Sequence, residues 1–443
     1  MTHPSEQTTR LSPGARKAVV AGTVGTLIEW YDYALYGAAA GLVINRLFFP
    51  DLVPAAGVLA AFATFAVGFF IRPLGGVIIS HIGDRVGRKP AMIMSVALMG
   101  GATVLMGLLP SAQTLGVLAP LLLILLRLVQ GFGAGAELAG AITLIAEYAP
   151  QRRRALYTAI PNAATAGGSA FATLAFLAVA GLPDDLLLSW GWRIPFLISA
   201  VLFVTALYIR NRMDETPEYV AAMESAERRR QRERLPLGEL FRGSRREVVL
   251  GFLSISGHNA WAYLLNTFAL SYLTTTMGMP RTEALIPVIT AAFAGMICCP
   301  FIGLAADRFG HRRIFILGAA FAIVWVVPLF LGLSSGSVII ATVVMAIAFG
   351  LGFGAMAGAQ GAFLVNLFPV RYRYSGVAVA RESNGVLIAG PTPFIASALV
   401  LVGGGSPWLV CGYVAVCCAA TIVAVLALGR TNPHPVTEHD HDR

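Results

Sequence analysis

Twelve apolar runs divide this chain of 443 residues into a regular alternation of greasy and polar stretches. They fall near 18–45, 56–81, 91–109, 117–147, 155–181, 190–210, 248–275, 284–305, 314–334, 337–366, 374–401 and 407–429. About 20 apolar residues in a helix cross the hydrocarbon core of a bilayer, where every backbone N–H and C=O has to be satisfied within the helix itself. The surplus in several runs allows tilt or an extension beyond the lipid. Composition closes off the alternatives: 57% of residues are hydrophobic, 12% are charged, and the mean hydropathy is +0.73. A soluble fold of that make-up would expose large apolar patches and aggregate. The expected fold class is an all-α membrane protein of twelve transmembrane helices.

The basic residues set its orientation. Of 32 Lys and Arg, 26 fall in the even-numbered gaps and the two tails, three (Arg46, Arg193, Arg281) on the opposite side, and three (Arg72, Arg127, Arg381) inside runs. By the positive-inside rule this predicts a multi-pass protein of the cell membrane with both termini cytoplasmic. The formal charge of +9 therefore reads as loops facing an anionic lipid surface, with no nucleic-acid partner. The five cysteines lie in apolar runs without metal-ligand spacing, and the terminal His434, His439 and His441 read as a solvated end, so no metal and no cofactor are expected. No small-residue cleavage site follows the first run, so no signal peptide is expected. The longest polar interruption gives the organisation: a tail 1–17, six helices over 18–212, a charged cytoplasmic linker 213–247, six helices over 248–429, and a tail 430–443.

The two halves repeat one another. Gly83-Asp84-Arg85-Val86-Gly87-Arg88-Lys89 follows the second run, and Ala306-Asp307-Arg308-Phe309-Gly310-His311-Arg312-Arg313 follows the eighth, 223 residues later. Pro150-Gln151-Arg152-Arg153-Arg154 and Pro369-Val370-Arg371-Tyr372-Arg373 are offset by 219. Two dissimilar motifs at nearly one offset imply two pseudo-symmetric six-helix bundles about an axis along the membrane normal, with a site between them near the midplane. In the loop motif, Gly87 and Gly310 permit tight turns, and Asp84 and Asp307 can accept bonds from helix-end amides or arginines. With Arg85, Arg88, Arg308, Arg312 and Glu147 they are expected to latch the cytoplasmic helix ends in one conformational state.

The doubled loop and Arg127-Leu128-Val129-Gln130-Gly131-Phe132-Gly133 resemble the signature motifs of the major facilitator superfamily. Glu29-Trp30-Tyr31-Asp32-Tyr33 with Tyr36-Gly37, Arg72-Pro73-Leu74-Gly75-Gly76, the segment running to Glu137, and Trp190-Gly191-Trp192-Arg193-Ile194-Pro195-Phe196 are similar to its metabolite:H+ symporter family. Within that family, Leu59 to Gly76 and Asn45 to Pro50 are most like the shikimate-transporter branch. Three departures stand out: Ser80 opens the loop motif in place of Gly, Ala136 replaces one glycine of Gly-Gly-Glu, and the eleventh run carries Arg381-Glu382. The resemblance implies a proton-coupled carrier; the family also includes carriers of 2-oxoglutarate, citrate, aromatic acids, proline and betaine.

Ionisable residues inside apolar runs are costly and so mark function. Glu29 lies about eleven residues, or ~16 Å, into the first run, near the midplane. Asp32 is three residues on, Tyr33 and Tyr36 extend the face, and Arg127 lies at similar depth in the fourth run; Tyr33, Tyr36 and Arg127 are also expected to contact the substrate. Glu29 and Asp32 are expected to face Arg127, one of them accepting a proton while Arg127 acts as a switchable counter-charge; a permanent salt bridge between the first and fourth helices is the alternative. Glu137, among Gly131, Gly133, Gly135 and Gly140, reads as a second protonatable site or a hydrogen-bonded gate, the glycines allowing close helix approach. In the second half His258, Tyr263 and Asn266 read as cavity groups, Arg381 as an anion holder and Glu382 as its neutralising partner in the empty state, with a snorkelling arginine or a helix-contact histidine as alternatives. Gln360 and Asn384 are weaker polar candidates. Arg72 is expected to steady the inner end of the second helix through a carboxylate or carbonyls freed by Pro73. Asn162 and Gly167-Gly168-Ser169 read as packing.

With no Walker loop, G-x-S-x-G elbow or metal cluster, the chain is read as a non-enzymatic secondary active transporter. It is expected to act as a monomer, coupling H+ flow down a proton gradient to import of a small polar metabolite, a carboxylate such as shikimate or a related organic or aromatic acid. Two alternatives stay open: a proline- or betaine-type zwitterion cradled by acids with Trp30 and Trp261, and a drug or metabolite exporter.

Overall fold

In the computed structural model the described residues are 13–86, 88–135, 145–146, 149–212, 244–368 and 373–428. They form helices joined by short turns, with no strand among them. The first six helices are α1 (Pro13–Ala39), α2 (Pro54–Phe70, resuming as Arg72–Val86), α3 (Arg88–Leu108), α4 (Leu118–Ala134), α5 (Arg154–Ala180) and α6 (Arg193–Arg212). The second six are α7 (Arg245–Thr276), α8 (Arg281–Phe309), α9 (His311–Leu333), α10 (Val338–Leu367), α11 (Ser375–Val402) and α12 (Trp408–Leu428). Nine of the described helices are long and apolar enough to cross a membrane, and shorter apolar helices occupy α3 and α4. In α1 the polar groups Glu29, Asp32, Tyr31, Tyr33 and Tyr36 dilute the apolar run.

Burial departs from that of a water-soluble protein at the surface and at a few interior charges. Phe70, Val77, Phe301, Val324, Val416 and Val423 are exposed, while Glu29, Arg127 and Gln130 are fully buried. A lipid environment explains both: aliphatic side chains lose nothing by facing hydrocarbon, and polar ones must find partners inside the bundle.

Within the first half α1 packs on α5, α2 on α4, and α3 between α4 and α6; within the second, α7 and α9 pack on α12, and α8 on α9 and α10. The halves meet through α5 with α8 and α10, through α2 with α11, and through α1 with α7. The α5–α8 and α11–α2 contacts exchange when the halves are swapped, which is the pairing that the sequence repeat requires. Small residues make the closest crossings possible. Gly131 of α4 faces the Gly68 carbonyl of α2, and Gly168 of α5 faces the α1 backbone at Leu27 and Tyr31, so a methyl group at either would meet main chain. Gly168 thus packs as expected. Gly310, at φ 95°, makes the turn between α8 and α9 that the loop motif calls for.

Pro73 has no N–H to give the Phe69 carbonyl, and α2 breaks one residue short of Arg72 at Ile71. The break sets the Arg72 side chain at the seam between the halves.

Candidate functional site

The centre of the seam is a cluster built around Arg72. Its Nε donates to Glu382 Oε2 of α11 at 3.2 Å, and its Nη2 to Glu29 Oε1 of α1 at 3.4 Å and to the Ala134 carbonyl at 3.4 Å. One guanidinium therefore ties a carboxylate of each half. Carboxylates serve Arg72 as expected, but the carbonyl it takes belongs to Ala134 of α4 and is not one freed by Pro73, and the bridge across the halves goes beyond that expectation. Tyr33 and Phe69 lie under the same guanidinium at 5.1 and 5.5 Å, and Tyr263 of α7 packs against Phe65, Phe69 and Trp30.

Arg381 lies beside this group, within electrostatic reach of Glu382, Arg72, Tyr263 and Glu29. Its Nη1 is buried with no hydrogen-bond partner, and no ion pair among the described residues involves it. Glu382, expected to neutralise Arg381, is instead taken by Arg72: adjacent residues diverge by about 100° on a helix, so they point to different neighbours. His258 of α7, near Arg381, stacks on Phe353 at 5.1 Å and leaves Nδ1 unpartnered. Trp30 Nε1, Tyr33 Oη and Gln360 Oε1 are likewise buried without a partner. Buried polar atoms in native proteins are nearly always bonded, so a concentration of orphans marks a place built for something else to bind.

Asp32 and Arg127 require a correction. Glu29 and Asp32 do not face Arg127 together. Three residues on a helix is about 300°, which leaves a divergence of about 60° between them, whereas Tyr33 and Tyr36 return to within about 40° of Glu29. Glu29 accordingly joins the seam, and Asp32 turns into the first half, where Ser199 of α6 donates to its Oδ1 at 2.6 Å and Thr103 of α3 lies beside it. Arg127 donates to Gln130 Oε1 at 2.5 Å and to the Phe65 and Thr64 carbonyls at 2.7 and 3.4 Å, with the Tyr36 ring 4.1 Å from its guanidinium carbon. Among the described residues no carboxylate is paired with it, so a salt bridge from Arg127 to Glu29 or Asp32 is absent. Gln130 donates in turn to Thr103 Oγ1 at 2.8 Å. A buried polar path thus runs from Arg127 through Gln130 and Thr103 to Asp32. Sequence reasoning misses Gln130 and Thr103, although Gln130 stands one turn beyond Arg127 in the motif itself.

Other expected cavity groups separate. Trp261 is fully buried and donates from Nε1 to the Ala348 carbonyl at 3.0 Å, which makes it core. Asn384 belongs to a fixed network inside the second half, donating to Phe252 O and Ser256 Oγ at 2.9 Å each and accepting from Asn259 at 2.6 Å. Asn266, partly buried on the π-turn Leu264–Phe268, makes no hydrogen bond that joins it to the cluster. Tyr36 shares a hydrogen bond of 2.5 Å with Thr64 and so acts within the first half.

The halves are latched on both faces. On the arginine-rich face, Asp307 accepts from the Ala155 and Leu156 amides at 2.8 and 2.9 Å, capping the start of α5 from across the seam. Arg154 donates to Asn366 of α10 at 3.2 Å, and Asn162 to the Ala357 carbonyl at 3.0 Å. Arg308 is exposed over Phe309, and Arg312 is half-buried at the start of α9. On the opposite face Arg281 of α8 pairs with Asp184 at 2.6 Å, and Arg46 joins the same carboxylate at 3.0 Å. Below them Gly37 and Gly41 sit against Thr267 and Ser271 of α7. Glu137, Glu147 and Gly87 lie outside the described residues, as do the side chains of Asp84, Arg85 and Arg88 and most of the linker and tails.

The chain as a whole is similar to known proteins. A family model described as Major Facilitator Superfamily matches residues 22–391. The chain is 37% identical over 429 residues to the shikimate transporter of Escherichia coli, covering 96% of this chain and 97% of that one. It is 32% identical over 394 residues to the proline/betaine transporter of Salmonella typhimurium, covering 87% and 78%. The crystal structure of a D-xylose-proton symporter shares the fold with a TM-score of 0.70 at 19% identity, over 94% of this chain and 97% of the other. A helical bundle matched over most of its length to that family, with near-full-length relatives that are transporters, identifies the chain as a multi-pass secondary transporter of the Major Facilitator Superfamily.

Proposed function

We propose that this transporter is a proton symporter that imports a small organic anion, a hydroxylated carboxylate of the shikimate type, across the cell membrane. The observation that carries the reading is Arg381: a guanidinium at the seam with a buried, unpartnered donor and a carboxylate-binding fork. Around it Tyr33, Trp30, Tyr263 and His258 offer ring faces and hydrogen-bonding atoms suited to a hydroxylated ring. The full-length likeness to a shikimate transporter supports the same substrate class.

Charge counting supports proton coupling. The seam cluster holds Glu29, Glu382, Arg72 and Arg381, two negative and two positive groups, so its formal charge is zero when empty. A carboxylate bound at Arg381 makes it −1 in surroundings of low dielectric, and one proton taken up by a carboxylate of the site restores neutrality. Asp32 relays that proton: it has hydroxyls beside it and the polar path to Arg127, so gain or loss of a proton there changes the cost of keeping it buried. Alternating access then consists of rocking the halves. Opening the arginine-rich face, taken as cytoplasmic with both termini and the 213–247 linker, breaks the Asp307–α5 caps, and opening the other breaks Asp184–Arg281.

A zwitterion is the second reading, favoured by Trp30 and the acids Glu29 and Glu382, but both acids are engaged by Arg72 and Trp261 is core. A substrate panel in proteoliposomes, with and without an imposed pH gradient, decides between them. Shikimate or an aromatic acid accumulating only with the gradient is the expected outcome; accumulation of glycine betaine alone would reject the carboxylate reading.

A further inference from the structure

A second polar site lies on the face opposite the arginine-rich loops, at the mouth of the seam. The turn after α1, the α5–α6 connection, the end of α7 and the start of α8 enclose a vestibule of about 460 Å³. Its charged lining is Arg46, Arg281 and Asp184, a net charge of +1, and its uncharged polar lining includes Asn45, Thr274 and Thr275. Asp184 holds both guanidiniums, at 2.6 Å from Arg281 and 3.0 Å from Arg46, yet a guanidinium carries five N–H donors and one shared carboxylate cannot take them all. The hydroxyls of Thr274 and Thr275 give their protons to the carbonyls of Leu270 and Ser271, at 2.9 and 2.6 Å. What they turn toward a ligand is therefore lone pairs, which accept from hydroxyl donors.

We propose that this vestibule is a loading site for the hydroxylated carboxylate, distinct from the seam cluster, in which Arg46 and Arg281 take the carboxylate and Thr274 and Thr275 accept from ring hydroxyls. The proposal rests on the carboxylate reading above. Its second element is an exchange of partners. Asp184 belongs to the first half and Arg281 to the second, so their ion pair is also the latch on this face. A ligand carboxylate that engages Arg281 replaces Asp184 there, and so the arriving substrate loosens the contact that keeps it out. Arg46, whose side chain is more than half exposed, draws the anion from solution over a screening distance of about 8 Å at physiological salt.

Docking and latching predict different signs. If the trio only latches the halves, Arg281→Gln and Asp184→Asn remove the same ion pair and move shikimate uptake in the same direction. If it loads anions, the two substitutions oppose each other. Arg281→Gln and Arg46→Gln then raise KM for shikimate about tenfold at low ionic strength, the loss of one charge-assisted contact. Asp184→Asn, which frees both arginines, lowers it. The arginine effects shrink as salt is added. The experiment is initial-rate uptake of labelled shikimate into proteoliposomes holding each full-length variant, at two salt concentrations. Opposite shifts support the vestibule. Shifts of one sign for Arg281→Gln and Asp184→Asn, or a salt-independent Arg46→Gln, overturn it while leaving the carboxylate reading standing. A wild type that takes up shikimate with no KM change in any of the three variants also overturns it, and a wild type that takes up no carboxylate overturns the reading beneath it.

Discussion

Two groups of buried charge lie side by side in this protein and are wired in opposite ways. Inside the first half, Arg127 is held by Gln130, Thr64 and Phe65, and Asp32 by Ser199, so every partner moves with that half. At the seam, Arg72 divides its donors between Glu29 of one half and Glu382 of the other, and Arg381 has a buried donor with no partner. Contacts of the first kind persist when the halves rock; those of the second have to be remade. On the proposed mechanism, this difference would put the conformational work at the seam and leave the interior path as a fixed conduit whose state changes by protonation alone.

The comparison is broken most severely by stripping the seam. Removing one partner of a buried ion pair costs about 3–5 kcal/mol where the other charge is left alone, and the lower end applies to Glu382→Gln because Arg72 keeps its longer contact with Glu29. Glu382→Gln is therefore expected to cut the rate of shikimate uptake in proteoliposomes at least about a hundredfold. Wild-type rates in Glu382→Gln would mean that Arg72 needs no partner across the seam. Next comes Arg381→Ala, expected to raise KM for a carboxylate between about ten- and a hundredfold, the worth of a hydrogen bond to a charged group, with Arg381→Lys intermediate. An unchanged KM would remove Arg381 from the binding site.

Asp32→Asn sharpens the contrast from the other side. With one proton per substrate, a gradient of one pH unit supports about tenfold accumulation. Asp32→Asn should lose that accumulation in a counterflow-controlled assay and retain exchange, because the seam is intact. Full uphill transport in this variant would take the proton path away from Asp32. The smallest effect belongs to Ser199→Ala, which deletes one neutral partner of Asp32 at about 1 kcal/mol. It should shift the pH dependence of uptake while changing the maximal rate less than about fivefold; an unshifted profile would make Ser199 a packing residue.

Much of this is legible in the amino-acid sequence. The apolar runs set the number of helices because a bilayer allows few other solutions. The offset repeat implies that α5–α8 and α2–α11 are equivalent contacts, and the Asp-Arg-x-Gly loop implies an aspartate on helix-end amides, which Asp307 supplies at α5. Glu29, Tyr33, His258, Tyr263, Arg381 and Glu382 do gather at the seam. What spacing does not give is who pairs with whom. Glu29 and Asp32 look like neighbours on one face, yet a divergence of about 60° is enough to send them to different helices. The bridge from Arg72 to Glu382 spans 310 residues of sequence and depends on α11 docking against the break at Pro73, a tertiary fact with no local signature. Asp184 escapes notice because it lies between two apolar runs, at the start of the helical turn Asp184–Leu186, although the three arginines isolated on its face stand out in the sequence and two of them converge on it.

The claim that ties these parts together is that a solute anion and a proton enter the same electrically neutral seam. It is tested most directly by adding shikimate to wild-type proteoliposomes in weakly buffered medium and recording external pH alongside labelled uptake. Alkalinisation should start with uptake, scale with it at about one proton per anion, and disappear in Arg381→Ala. Shikimate uptake at full rate with no movement of external pH would contradict it.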